Sequence, residues 1–217
     1  MTSGDEAFWE QELERLLPEP AEALEEAFRY VCCPVCEVLA DVPWDFFRAL
    51  PMRWPDEPDL RGAVMRAGGF CNHHTWRLVE MQSLVALATV YADIMGKLAE
   101  QGPEAIEPCP VCRLERLAAD RLLGLLVERL RTEEGRDRFG RLFGLCYPHW
   151  REMLGRELPP ALREFMLRSQ ADHARRLQSE LIGFLEKDTA ELKGTRTRDE
   201  NRAPRRAALK TAGNEDI

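Results

Sequence analysis

Apolar side chains recur at helical spacing along most of the chain, and no segment sustains the period-two alternation of a half-buried strand. The pattern predicts an all-α fold. Its clearest stretch runs from about Leu78 to Leu98, where Met81, Leu84, Val85, Ala88, Tyr91, Ala92, Met95 and Leu98 form one stripe and predict a single helix with that stripe inward. A second long helix is expected over Leu162 to Leu192, burying Phe165, Met166, Leu177, Leu181 and Phe184. Leu114 to Leu130 predicts a third, covered on most sides. Prolines at 18, 20, 43, 51, 55 and 58 punctuate shorter helices at Phe8 to Leu17, Ala21 to Tyr30, Trp44 to Leu50 and Asp59 to Ala67. From Gly194 onward, GTRTRDENRAPRRAALKTAGNEDI has too few large apolar side chains to offset the entropy of ordering it, and a disordered tail is expected.

An internal repeat underlies the helical pattern. Cys33-Pro34-Val35-Cys36 returns as Cys109-Pro110-Val111-Cys112, and Gly69-Phe70-Cys71-Asn72-His73-His74 returns as Gly144-Leu145-Cys146-Tyr147-Pro148-His149. Each copy has a tryptophan close behind, Trp76 or Trp150, and six of the seven cysteines are used. Each copy thus carries C-x-x-C, a spacer of 34 or 33 residues, and C-x-x-H. Three thiolates and one imidazole form a closed tetrahedral set for structural zinc, and the x-x spacing lets both members of a pair reach one ion. Pro148 occupies the position of His73, so the repeat selects His74 over His73. The chain is read as 1–30, N-terminal helices; 31–107, the first repeat; 108–192, the second; and 193–217, the tail.

Pro34 and Pro110 suit the first position of a helix, making the preceding cysteine a cap. With Cys33 and Cys36, or Cys71 and His74, in a first helical turn, their i,i+3 spacing puts both donors on one side. Two helix N-termini then face each ion and offset the formal −1 charge of three thiolates on a divalent cation. We expect the ligands to pair within each copy: Cys33, Cys36, Cys71 and His74 on one ion, Cys109, Cys112, Cys146 and His149 on the other. A crossover joining Cys33 and Cys36 to Cys146 and His149 fits the spacing equally well. Duplication of a self-sufficient unit is the simpler history. Zinc is favoured, two ions per chain, with an iron–sulfur cluster as the alternative.

Charge and composition narrow the function classes. The formal charge of −8 divides into an acidic body and a basic end, since residues 193–217 hold seven basic and four acidic side chains. An acidic body argues against a broad nucleic-acid footprint outside that end. No apolar run approaches a membrane span, and the acidic start lacks the order of a secretory signal, so a cytoplasmic protein is expected. There thiols stay reduced, and paired cysteines are metal ligands or redox centres more often than disulfides. No phosphate-binding loop, dinucleotide fingerprint, H-E-x-x-H or G-x-S-x-G is present. The remaining reactive candidates have ordinary readings: Cys32 as a packed bystander, His73 as an exposed neighbour and His173 as a core-edge histidine. Aligning Ala92-Asp93 with Ala171-Asp172 sets His173 opposite Ile94 and pairs Asp93 with Asp172.

On these residues the chain resembles an uncharacterised family of bacterial and archaeal helical proteins carrying Cys-Pro-x-Cys followed by Gly-Phe-Cys-x-x-His, often duplicated. The match spans roughly Tyr30 to Lys187, with Leu145 departing where Phe70 stands. The resemblance implies an all-helical fold and the eight ligands, and it implies no substrate. The first expectation is a noncatalytic scaffold of two zinc modules about a pseudo-twofold axis, binding a protein partner or a small ligand in the groove between the repeats. A redox or metal-responsive protein is the second, in which the cysteines hold an iron–sulfur cluster or cycle with Cys32. An enzyme using a cleft between the repeats is the third.

Overall fold

The computed structural model describes residues 3–101 and 107–213, and every regular element among them is helical. In chain order these are α1 (Ser3–Leu16), α2 (Pro20–Ala27), α3 (Pro34–Leu39), α4 (Asp41–Arg53), α5 (Pro58–Arg66), α6 (Asn72–Met81), α7 (Leu84–Gln101), α8 (Pro110–Leu130), α9 (Glu133–Arg141), α10 (Tyr147–Gly155), α11 (Pro160–Glu186) and α12 (Arg198–Ala212), with a 3-10 turn at Lys193–Thr195. Among the described residues, no helix is long and apolar enough to cross a membrane.

Two compact units divide these helices. The first comprises residues 1–18 and 41–120, the second residues 19–40 and 121–217. These boundaries do not follow the sequential repeats 31–107 and 108–192. The segment 19–40, with α2 and α3, belongs to the second unit because Leu24, Phe28, Val35 and Leu39 bury their side chains in that core. α8 contributes residues to both units.

In the first unit, Trp9, Leu13, Phe46, Phe47, Leu50, Trp54, Leu60 and Leu78 are buried. Here α4 runs through Pro51 to Arg53, past the expected end at Leu50. Proline has no N–H to offer the carbonyl four residues earlier, which is that of Phe47. Gln82 replaces the missing donor, its Nε2 reaching the Phe47 oxygen at 2.8 Å. The same residue ends α6, so the helix expected over Leu78 to Leu98 is two helices. Ser83 restarts the chain, its Oγ accepting from the N–H of Ala86.

The stripe expected to be buried on α7 faces outward: Leu84, Val85 and Met95 are exposed, while Val90 and Ile94 are buried. α7 is apolar on more than one side, and polar anchors choose its rotation. Trp54 Nε1 donates to Asp93 at 2.9 Å, and Lys97 Nζ donates to the Met65 carbonyl at 2.8 Å.

In the second unit, Leu122, Leu126, Phe139, Leu145, Met153, Met166 and Leu177 are buried around α11. The expected disordered tail is corrected here, because residues 198–212 form a helix packed on α11 and α10. Thr197 and Glu200 make a capping box, satisfying two backbone donors reciprocally. Lys187 pairs with Glu200 at 2.7 Å and Arg206 with Glu180 at 2.6 Å, while Ala203 is fully buried. Small alanines and ion pairs thus do what large apolar side chains would otherwise do. Residues 214–217 of the expected tail lie outside the described residues.

Glu12 is the main buried charge of the first unit, at 4 % exposure, with Arg53 bonding both its oxygens at 2.6 and 2.7 Å. Burial pushes its pKa up, but the hydrogen bonds from Arg53 and Arg15 outweigh that and hold it below the usual carboxylate range. A lowered folded-state value means that this stabilisation is present above the ordinary carboxylate pKa and is lost as pH falls through the lowered value. Replacing Glu12 by alanine leaves Arg53 half-compensated in a largely dry site, and we expect a loss of about 3 kcal/mol in urea unfolding. A change within experimental error would show the pair to be solvated.

Candidate metal centres

Cys33, Cys71 and Cys146 each occupy the N-cap position of a helix, α3, α6 and α10 in turn. Cys109 directly precedes α8, and its carbonyl accepts the N–H of Arg113 as the other caps do for the residue four positions on. Gly69 and Gly144 turn the chain into the last two positions of this kind on α6 and α10, each with positive φ, +104° and +74°. A side chain there would be strained, and at Gly144 it would also strike His173.

The eight expected donors converge in two groups, each with its ligand atoms within 4.8 Å of one another. Cys33, Cys36, Cys146 and His149 lie in the second unit, and Cys71, His74, Cys109 and Cys112 in the first. The expected pairing within each copy is therefore corrected, and the crossover holds. The physical reason is the grouping of α3 with the second core, which carries Cys33 and Cys36 to α10 and leaves the two inner pairs to each other.

In the second unit, His149 Nδ1 stands 3.6, 3.3 and 3.2 Å from the sulfurs of Cys33, Cys36 and Cys146, and Cys36 lies 3.5 Å from Cys146. In the first, His74 Nδ1 stands 3.2, 3.6 and 3.3 Å from Cys71, Cys109 and Cys112, and Cys71 lies 3.6 Å from Cys112. Around a tetrahedral zinc with Zn–S of about 2.3 Å and Zn–N of about 2.0 Å, neighbouring donors fall about 3.5 to 3.8 Å apart. Both groups match that spacing to within a few tenths of an ångström. A disulfide needs sulfurs at about 2.05 Å, and all seven cysteines are free. The donor set, its spacing and its single imidazole orientation are compatible with metal binding at both places.

Protonation differs between the thiols of each group. Burial opposes a thiolate at Cys109, but the His74 ring and the N–H groups of Cys112 and Cys71 pull its pKa down to about 7. Cys33 is fully buried, yet bonds from Cys146, Cys36 and His149 hold it well below the usual thiol range. Burial lowers the two histidines less than the neighbouring thiolates, and for His74 also Glu115, raise them, and each reaches about 10. Cys36 is instead pushed up by its bonds to Cys146 and Cys33, and Cys112 by burial and the Cys109 charge, so one thiol of each group is lowered and another raised, and a divalent cation would displace the protons that remain.

The groups differ in their surroundings. All four ligands of the second unit are buried, whereas Cys71, Cys109 and Cys112 of the first are partly exposed. His74 has an outer partner, Glu115, whose Oε1 lies 3.2 Å from Nε2 on the ring edge away from the sulfurs. Such a carboxylate fixes the ring and makes the ligating nitrogen more basic. Phe47 packs 6.2 Å from the same ring, part of an aromatic cluster with Phe46 and Phe70. In the second unit, Lys210 lies close enough to Cys33 and Cys146 for their charge to raise its pKa, although burial leaves it lowered overall, to about 8. Gly213, ending α12, sits where a Cβ would be 3.3 Å from Cys36 Sγ and 3.7 Å from Cys146 Sγ.

The other candidates stay outside both groups. His73 is exposed, edge-on to His74. Cys32 donates to Glu37 at 3.0 Å, and burial together with that carboxylate raises its pKa, keeping it a thiol. His173 is buried at 5 % exposure, its Nε2 on the Gly140 carbonyl at 3.1 Å. It faces Gly144 as Ile94 faces Gly69, which places the two in equivalent positions of the repeat. Asp93 holds Trp54, and Asp172 pairs with Arg175. Sequence reasoning missed Glu115 and Lys210. Glu115 follows Cys112 by three residues on one helix face, a readable signal. Lys210 lay in the segment read as a tail.

Compared with family models, curated proteins and solved structures, the chain matches none.

Paired serine substitutions separate the two connectivities. C36S with C146S should leave about one metal ion per chain, and C36S with C71S none, by elemental analysis of purified protein. Pairing within each copy would give the reverse. Replacing Glu115 by glutamine should weaken the first unit's metal affinity about 10-fold or more in a chelator competition, leaving the second unit's ion in place. Equal retention by both units would remove Glu115 from that role.

Proposed function

We propose that the protein is a noncatalytic helical scaffold held together by two structural zinc ions, one in each unit. The observation that carries this reading is the completeness of each group: three sulfurs and one imidazole nitrogen at tetrahedral spacing. A zinc ion held by four protein donors has no open position for water or substrate, so it neither activates a nucleophile nor polarises a carbonyl. Its contribution is to folding. Each ion would join helix starts 35 or more residues apart in sequence, and structural zinc is worth on the order of 10 kcal/mol in small domains. That is comparable to the whole stability of an ordinary domain, about 5 to 15 kcal/mol.

Cys32 supports the structural reading over thiol cycling. Held as a protonated thiol by Glu37 and standing outside both groups, it is a poor nucleophile. A reducing compartment such as the cytoplasm suits six cysteines kept as thiolate ligands. The working role is binding, of a protein partner or a small ligand, by surfaces away from the two centres.

Purified protein should be colourless, carry about two zinc ions per chain, and lose its cooperative thermal transition when a strong chelator removes them. Brown protein containing iron and labile sulfide would instead assign the thiolates to a cluster. Metal-free protein with unchanged melting would end the proposal.

A further inference from the structure

The second unit contains a cavity of about 330 Å³ beside α9, α11 and α12, lined by none of the metal ligands. Its volume lies in the range of small-molecule sites, about 300 to 1,000 Å³. Five cationic side chains line it, Arg29, Arg141, Arg176, Arg206 and Lys210, against two acidic ones, Glu180 and Asp199. In a chain with a formal charge of −8 this is a local inversion of sign. Glu180 is engaged by Arg206 at 2.6 Å. Arg176 donates to the Gly140 carbonyl, and Lys210 donates to the Phe143 carbonyl and the Gln170 side-chain oxygen, so both meet neutral acceptors there.

A second observation is independent of charge. His173 lines the same cavity at 5 % exposure, and its Nε2 is committed to the Gly140 carbonyl. That bond makes Nε2 the protonated nitrogen and leaves Nδ1 with its lone pair. Nδ1 is buried and has no hydrogen-bond partner among the described residues. Gly144 brings it near Lys210, since a Cβ on that glycine would lie 2.4 Å from Nδ1 and 3.2 Å from Nζ. Native structures seldom leave such an acceptor unmet. Burial, helped by the Lys210 charge, lowers the His173 pKa to about 4, so the ring is neutral and accepts at physiological pH.

The occupant must therefore bring negative charge for the guanidinium and ammonium groups and a hydrogen for Nδ1. An ionised carboxylate brings the first without the second. A phosphate carries more charge, matches the guanidinium fork and, as the monoanion, offers a P–OH. We infer that this cavity binds a phosphate group, free or as a phosphomonoester of a small organic molecule, with Arg176 and Lys210 on its oxygens and His173 Nδ1 accepting a hydrogen. Tyr30, Val31 and Leu142, which also line the cavity, supply apolar surface for the organic part.

Calorimetric titration of the full-length, metal-loaded chain tests this with inorganic phosphate, ribose 5-phosphate and malonate as probes. Binding of at least one phosphate probe below about 1 mM, and tighter than malonate, is expected. Equal affinity for the two phosphates would assign free phosphate as the ligand, and tighter sugar phosphate would assign the ester. Arg176→Gln, at an exposed position that does not threaten folding, should weaken binding about tenfold, whereas Arg168→Gln, outside the cavity on the same helix, should not. Lys210→Met should act in the same direction where circular dichroism shows it folded. No heat from either phosphate, malonate binding as well as phosphate, or indifference to Arg176→Gln would each overturn the inference. None of these outcomes depends on which metal the two centres hold.

Discussion

Buried thiolates are tolerated only where positive charge meets them, and in this protein that charge comes from helix starts. Cys33, Cys71 and Cys146 are N-caps and Cys109 precedes a helix, so unpaired backbone N–H groups and the positive ends of two helices surround each group of sulfurs. The sequence achieves this with few parts. A cysteine at the helix start, a proline in the first turn of three of the four helices, and a second donor one turn later suffice. Four such helix starts make two centres. Where each helix begins is thus dictated by the same residues that hold the site, which ties the secondary structure to the donor geometry.

The two centres are built alike but insulated differently. In the second unit all four ligands are buried, Lys210 lends positive charge, and Gly213 brings the end of α12 over the sulfurs without a side chain in the way. In the first, the three cysteines are partly exposed and Glu115 sits behind the buried His74, with Phe46, Phe47 and Phe70 giving an apolar flank. A carboxylate behind the imidazole raises ligand basicity, whereas a nearby ammonium offsets net negative charge. One duplicated motif has therefore acquired two electrostatic settings. The divergence extends to the residues facing the motif glycines: Ile94 is apolar against Gly69, while His173 sets an unsatisfied, buried acceptor against Gly144.

Several features were legible in the sequence for stated reasons. Helical periodicity gave the fold class, and the repeat chose His74 over His73 because Pro148 cannot ligate. Alignment of the copies also set His173 opposite Ile94, as the contacts with Gly144 and Gly69 bear out. The C-terminal helix was readable too, from Thr197-Arg198-Asp199-Glu200, a capping box, but composition alone pointed to disorder. Composition misleads there because Ala203 and two ion pairs, not large apolar side chains, attach α12. The rotation of α7 was not readable. Its apolar residues cover more than one face, and Asp93 and Lys97 choose among them through partners far away in sequence.

By itself the sequence determined which eight residues can serve as soft donors, that each pair shares one turn of helix, and that the chain is helical. Those are local properties, set by i,i+3 geometry, capping and periodicity. Tertiary structure alone decided which pair joins which. Successive ligand pairs are separated by spacers of 34, 34 and 33 residues, and the longer loop that the crossover closes between Cys36 and Cys146 costs only about 1 kcal/mol more in chain entropy. The choice falls to the core that α3 enters, because Val35 and Leu39 bury themselves in the second unit and carry Cys33 and Cys36 with them.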